Sequence, residues 1–132
     1  MTGNGNSYQF ELTDELIRQE QVSNLIKSDK ITKAINREKQ NRHIQGSSEY
    51  CPGRSYLLNG IDPQKLIDMF HGTGESKFTN KGKWKSKEVI HTNNLVGILV
   101  NSSTSEETYT SSFTIHYSKT GTHIVPAPKR RC

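Results

Sequence analysis

Between Thr13 and Gln40, apolar residues recur at helix-like intervals among charged ones: Leu16, Ile17, Leu25, Ile26, Ile31, Ala34 and Ile35. That spacing predicts helix. Ser28-Asp29 offers an N-cap that divides the stretch into helices over 14–27 and about 30–42. The first is weakly apolar, which suits loose packing or an outward reach toward a partner. Residues 1–10 read as a disordered lead. SSEYCPG (47–53) reads as loop, with Pro52-Gly53 its strongest turn signal. SYLLN (55–59) reads as a short strand. In IDPQKLIDMF, Asp62 caps, Pro63 takes the first helical position, and Leu66, Ile67 and Phe70 share a face. Gly72 stops that helix.

After Gly74 the period shortens. FTNKGKW turns at Asn80 to Gly82, and KEVIH, LVGILVN and ETYTSSFTIHYS are rich in Val, Ile, Thr and Tyr and read as strands. NSSTSEE is a polar connection. THIVPAP is a final strand closed by Pro126 and Pro128, and KRRC is a charged tail. Helices followed by a meander of strands predict an α+β fold, with N-terminal helices packed on one face of an antiparallel sheet.

The hairpin FTIHYSKTGTHIVP (113–126) carries two histidines. Phe113, Ile115 and Tyr117 alternate with Thr114, His116 and Ser118, so His116 lies on a polar face. If Ser118 pairs with Thr122, His123 points to the other face. An odd register puts both histidines on the same face. The turn SKTGT permits either.

Composition narrows the class. The chain has 132 residues, of which 30% are hydrophobic, and a mean hydropathy of −0.79. One domain with a modest core follows. No apolar run approaches the roughly 20 residues of a membrane span, and MTGNGNSYQF lacks a signal-peptide pattern. Cys51 and Cys132 make no disulfide framework. CxxC, HxH and HExxH spacings are absent from the sequence, so no metal or other cofactor is expected. The net charge of +5 comes entirely from residues 41–132, where twelve Lys/Arg face seven Asp/Glu. A basic half suits a nucleic-acid ligand.

Histidines beside lysines on a sheet face have a chemical use. RNA carries its own nucleophile, the ribose 2′-hydroxyl. Cleavage needs a base for its proton, an acid for the leaving 5′-oxygen and a cation for the phosphorane. Histidine titrates near neutrality and serves as either base or acid, and lysine supplies charge stabilisation. A G-x-S-x-G elbow is absent, which argues against a serine triad.

QNRHIQG (40–46), SYLLNGIDPQKLIDMFHGTGE (55–75), KWKSKE (83–88) and FTIHYSKTGTHIVP (113–126) together resemble the bacterial polymorphic toxin type 50 domain. The resemblance covers about 36–128. It implies that residues 1–35 are a linker and helical junction to a larger delivery protein and that 129–132 are a basic tail. It also implies a relative of the barnase, EndoU, colicin and RelE group: helices on a curved antiparallel sheet, and a metal-independent ribonuclease toxin, often directed at tRNA. Such a toxin is secreted or delivered within a larger protein, acts in the cytoplasm of the target bacterium, and has a cognate immunity protein. By position, His43, His116, His123 and Lys87 become the catalytic candidates. Thr73, Trp84, Lys85, Tyr117, Ser118 and Thr122 become candidates for substrate binding, with Trp84 stacking on a base.

Two rival readings compete with it. HGTG (71–74) is similar to the His-Gly-Thr/Ser of ADP-ribosyltransferases of the diphtheria-toxin and poly-ADP-ribose polymerase type, which would use NAD, His71 and Thr73, with Glu88 or Glu107 as the catalytic glutamate. The other is a basic nucleic-acid-binding module without catalysis.

Overall fold

The computed structural model describes residues 6–129, with side chains from residue 14 onward. In chain order the elements are α1 (Asn6–Lys27), α2 (Arg37–Asn41), β1 (Tyr56–Leu57), α3 (Pro63–Phe70), β2 (Glu75–Phe78), β3 (Trp84–His91), β4 (Gly97–Val100), β5 (Glu107–Thr110), β6 (Ser112–His116) and β7 (His123–Ala127). The strands form two antiparallel sheets, β1-β4-β5 and β2-β3-β6-β7. The class is α+β, as the order of helices and strands predicts. The stretch 107–118, expected as strand, is divided at Ser111, where the chain leaves one sheet for the other. Thr92 holds this corner, its backbone N–H and its hydroxyl both donating to Ser111 O.

Several elements follow from local chemistry. Asp62 caps α3, its carboxylate accepting from the N–H groups of Gln64 and Lys65. Such a cap contributes about 1 kcal/mol. Pro63 begins the helix, and Gly72 leaves it in a left-handed conformation, φ +81°. The core gathers Ile26, Ile67, Phe113, Ile115 and Ile124, all fully buried. Each contributes roughly 1.5–3 kcal/mol, as an upper value.

Two helix expectations are corrected. α1 begins at Asn6, so residues 6–10 are helical where a disordered lead was expected; residues 1–5 and the end of the KRRC tail lie outside the described residues. The second helix is much shorter than 30–42. Ser28 does not open it: its hydroxyl donates to Leu25 O and accepts from Lys30 N–H, which finishes α1. Residues 34–36 instead run beside the later hairpin. Thr122 N–H donates to Ala34 O, Asn36 N–H donates to Thr122 O, and Ile35 forms a parallel bridge with Thr122. Tertiary pairing overrides a helical pattern here, and α2 starts only after Asn36, whose side chain accepts from Lys39 N–H.

Three glutamines fasten helices and loops to exposed backbone. The Gln19 amide both donates to and accepts from the Ser76 backbone on β2. Gln40 does the same with Ile124 on β7. Gln64 joins Lys33 O and Ile35 N–H. β2 and β7 are the two edges of the larger sheet, so each edge receives a side-chain rung in place of a neighbouring strand. α1 packs through Val22 and Ile26, while Leu16 and Ile17 stay exposed.

Candidate active site

The hairpin takes the odd register. In the β6–β7 ladder His116 pairs directly with His123, so both side chains leave the same face. Their rings lie 4.8 Å apart and 23° from parallel. Gly121, with φ +117°, closes the turn so tightly against Asn36 that a Cβ there would come within 2.9 Å of its side chain. A third ring completes the row: His43 lies 6.0 Å from His123 and 9° from parallel.

His43 is set by the turn that ends α2. Its N–H donates to Gln40 O and its carbonyl accepts from Leu57 N–H. Its Nδ1 lies 2.9 Å from Ser55 O. A carbonyl can only accept, so Nδ1 carries the proton and Nε2 keeps a lone pair. The residue is only 7% exposed.

Lys87 on β3 stands directly opposite His116 in the β3–β6 ladder. Burial, then Lys87, then His43 push the His116 pKa down to about 4. His123 is likewise pushed down to about 4, by burial first and then by His116, His43, Lys39 and Arg42. Burial also lowers His43; its bond to Ser55 O opposes this, and Arg54 and Arg42 add to the lowering. Every charge acting on the three rings is thus cationic. Each shift favours the neutral ring, and among the described residues the His123 Nδ1 is buried with no hydrogen-bond partner. An anion entering this space would meet positive charge on several sides and would raise the pKa of all three imidazoles.

The other candidates are placed differently. Tyr117 lies in the core and donates its hydroxyl to Glu88 Oε1 at 2.7 Å. Trp84 is half-buried against Tyr117, with ring centroids 5.8 Å apart, and its Nε1–H donates to Lys87 O. Lys85 is exposed on the same strand. The Ser118 hydroxyl lies 3.1 Å from that of Thr120. Thr122 is fully buried and donates its hydroxyl to Thr32 O. Thr73 is exposed just after α3 and donates to Phe70 O. The fold therefore brings His43, His116, His123 and Lys87 together, and engages the hydroxyls of Thr73 and Thr122 in structural bonds, one local and one to Thr32 O.

HGTG has a structural explanation. The His71 ring bonds to Ile67 O at the end of α3. Glu88, 1% exposed, accepts from Gly72 N–H, Gly74 N–H and the Tyr117 hydroxyl. Glu107 belongs to the other sheet, where Tyr56 donates to it.

Sequence reasoning missed Lys39, Arg42 and Arg54, the further cations around the row, and Gln40, which ties α2 to β7. A signal existed for two of them: Lys39 and Arg42 precede His43 by four and one positions. Arg54 had none, since only the Ser55 contact brings its loop to His43. Among the described residues no three His, Cys, Asp or Glu side chains are arranged to hold a metal ion. No described helix is long and apolar enough to cross a membrane.

Fold and site together define the class, an α+β domain with three stacked imidazoles whose charged neighbours are cations. The comparison of sequences makes the class specific: residues 35–126 match the family model of bacterial toxin 50, and the chain belongs to this family of polymorphic toxin domains. No curated protein matches the chain. Membership fits delivery into target cells as part of a larger toxin.

Proposed function

We propose that the chain is a metal-independent endoribonuclease toxin that cleaves RNA, with tRNA the foremost substrate, in the cytoplasm of a target bacterium. The observation that carries this reading is the row His43–His123–His116 with Lys87 opposite its end.

His43 Nε2 takes the proton of the ribose 2′-hydroxyl, and the freed oxygen attacks the adjacent phosphorus. The phosphorane's charge is met by Lys87, with Arg42, Arg54 and Lys39 around it. His116 then gives a proton to the departing 5′-oxygen, leaving a 2′,3′-cyclic phosphate. An acid must be protonated to act, and the free protein keeps His116 neutral. The phosphodiester itself supplies the correction: its negative charge offsets the cations and raises the imidazole pKa. His123, between the two, supports both rings or acts as a second acid, and substrate gives its orphan Nδ1 a partner. A cognate immunity protein would neutralise the activity in the producing cell.

The test uses the purified chain with total RNA and EDTA, without inhibitor. Discrete fragments ending in 2′,3′-cyclic phosphate are expected. His116→Ala should reduce cleavage by about 10²–10⁴-fold. Intact RNA after exposure to folded wild-type chain, both with EDTA and with metals restored, would overturn the reading.

A further inference from the structure

Resting on the ribonuclease reading, we propose that the cleft walled by Trp84, Tyr117 and residues 30–32 holds a nucleobase of the RNA substrate, and that its base preference is set partly by residues preceding the family-matched span.

The cleft originates in an irregularity of β3. Ser76 pairs with Glu88 and Phe78 with Trp84, so three residues of β3, 85–87, stand against one of β2. Within this bulge Ser86 adopts a left-handed φ of +61°, rare for a residue other than glycine. Its carbonyl accepts from Tyr117 N–H at 2.9 Å, which ties the bulge to the end of β6. Trp84, with its Nε1–H held by Lys87 O, stands at an angle of 45° to Tyr117.

Between these rings and the chain after α1 lies a space of about 470 Å³. That is within the range of small-molecule sites, roughly 300–1,000 Å³. Aromatic rings and Ile31 offer an apolar surface, Thr32 and Ser118 offer hydroxyls, and Lys30 and Lys119 offer positive charge. This is the combination that stacks a base and favours its phosphate. The cleft lies at the end of the strands that carry the histidine row, on the face of Glu88 and Tyr117 and not that of His116. Ser118 follows His116 by two residues, and Lys87 follows Ser86 directly. Thr122, next to His123, holds Thr32 O at 2.7 Å. The family model begins at residue 35, so Lys30, Ile31 and Thr32 lie outside it.

Trp84 is the only tryptophan, so its fluorescence reports on this cleft. The full chain is titrated with each of the four ribonucleoside 3′-monophosphates and with ribose 5-phosphate, which has no base. Some nucleotides should change the Trp84 emission, and ribose 5-phosphate should not. Lys30→Ala and Thr32→Ala, both at exposed positions, should weaken the response several-fold and alter the order of the four bases. Silence from Trp84 with every nucleotide, or an unchanged base order in both variants, overturns the proposal, whether or not RNA is cleaved. A base-dependent Trp84 response in a chain that cleaves no RNA would sustain the nucleobase site and remove the ribonuclease reading instead.

Discussion

Glu88 and His116 occupy neighbouring rungs of the β3–β6 ladder, on opposite faces of the sheet. Glu88 is buried and His116 half-buried, and the protein treats these two ionisable groups in opposite ways. The Glu88 carboxylate accepts three hydrogen bonds and fixes the turn after α3. Among the described residues the Nδ1 of His43 has one bond, the buried Nδ1 of His123 has none, and the charged neighbours that shift the three rings are cations. A buried polar group with its partners in place maintains structure. One without them, in a field that disfavours its charged form, is held ready for a ligand of opposite charge.

The comparison can be broken most sharply at Glu88. Glu88→Ala leaves two backbone N–H groups and a tyrosine hydroxyl without acceptors. It should cost about 3 kcal/mol or more and lower Tm by roughly 10 °C. A thermal melt that matches wild type would show that water replaces the carboxylate and that the cluster is not structural.

The histidine row should show its cost only in acid. The folded pKa values of His116 and His123, about 4, lie below the ordinary histidine value of 6.5. Between those limits the unfolded chain binds more protons. Stability is therefore full above about pH 6.5 and is lost as pH falls toward 4. Chemical denaturation across that interval should show the loss, and it should shrink in a His116→Asn/His123→Asn double variant. An equal loss in the double variant would assign the pH dependence to other groups.

The smallest effect expected is at Lys87. Lys87→Gln removes a cation that depresses His116, so the ring's pKa should rise when followed by NMR. Cleavage should fall nonetheless, by about tenfold, because the phosphorane loses a partner. A variant whose His116 titration is unchanged would separate Lys87 from the row.

Legibility in the sequence followed locality. Asp62-Pro63 and Gly72 defined α3 because cap, first turn and stop lie within eleven residues. The strands were legible from their β-branched and aromatic content. Ala34 and Ile35 misled because residues at helical spacing were used in pairing with a hairpin almost ninety residues later. The hairpin register was open because SKTGT fits two turns; Asn36, pressed against Gly121, lies far off in sequence. His116 and His123 stood out in the hairpin itself, whereas His43 and Lys87 were reached as candidates through motif resemblance. Arg54 entered only through a loop contact that no periodicity encodes.

The Gln40 amide has a consequence beyond covering an edge. It grips both backbone groups of Ile124, the residue after His123, while the backbone carbonyl of Gln40 accepts from the N–H of His43. One side chain thus works as an alignment pin between two imidazoles carried by separate elements. A helical residue displaced by one position turns by about 100° and rises by about 1.5 Å. With the pin seated, α2 cannot make that slip against β7, and the spacing of His43 and His123 has a mechanical tolerance set by two hydrogen bonds.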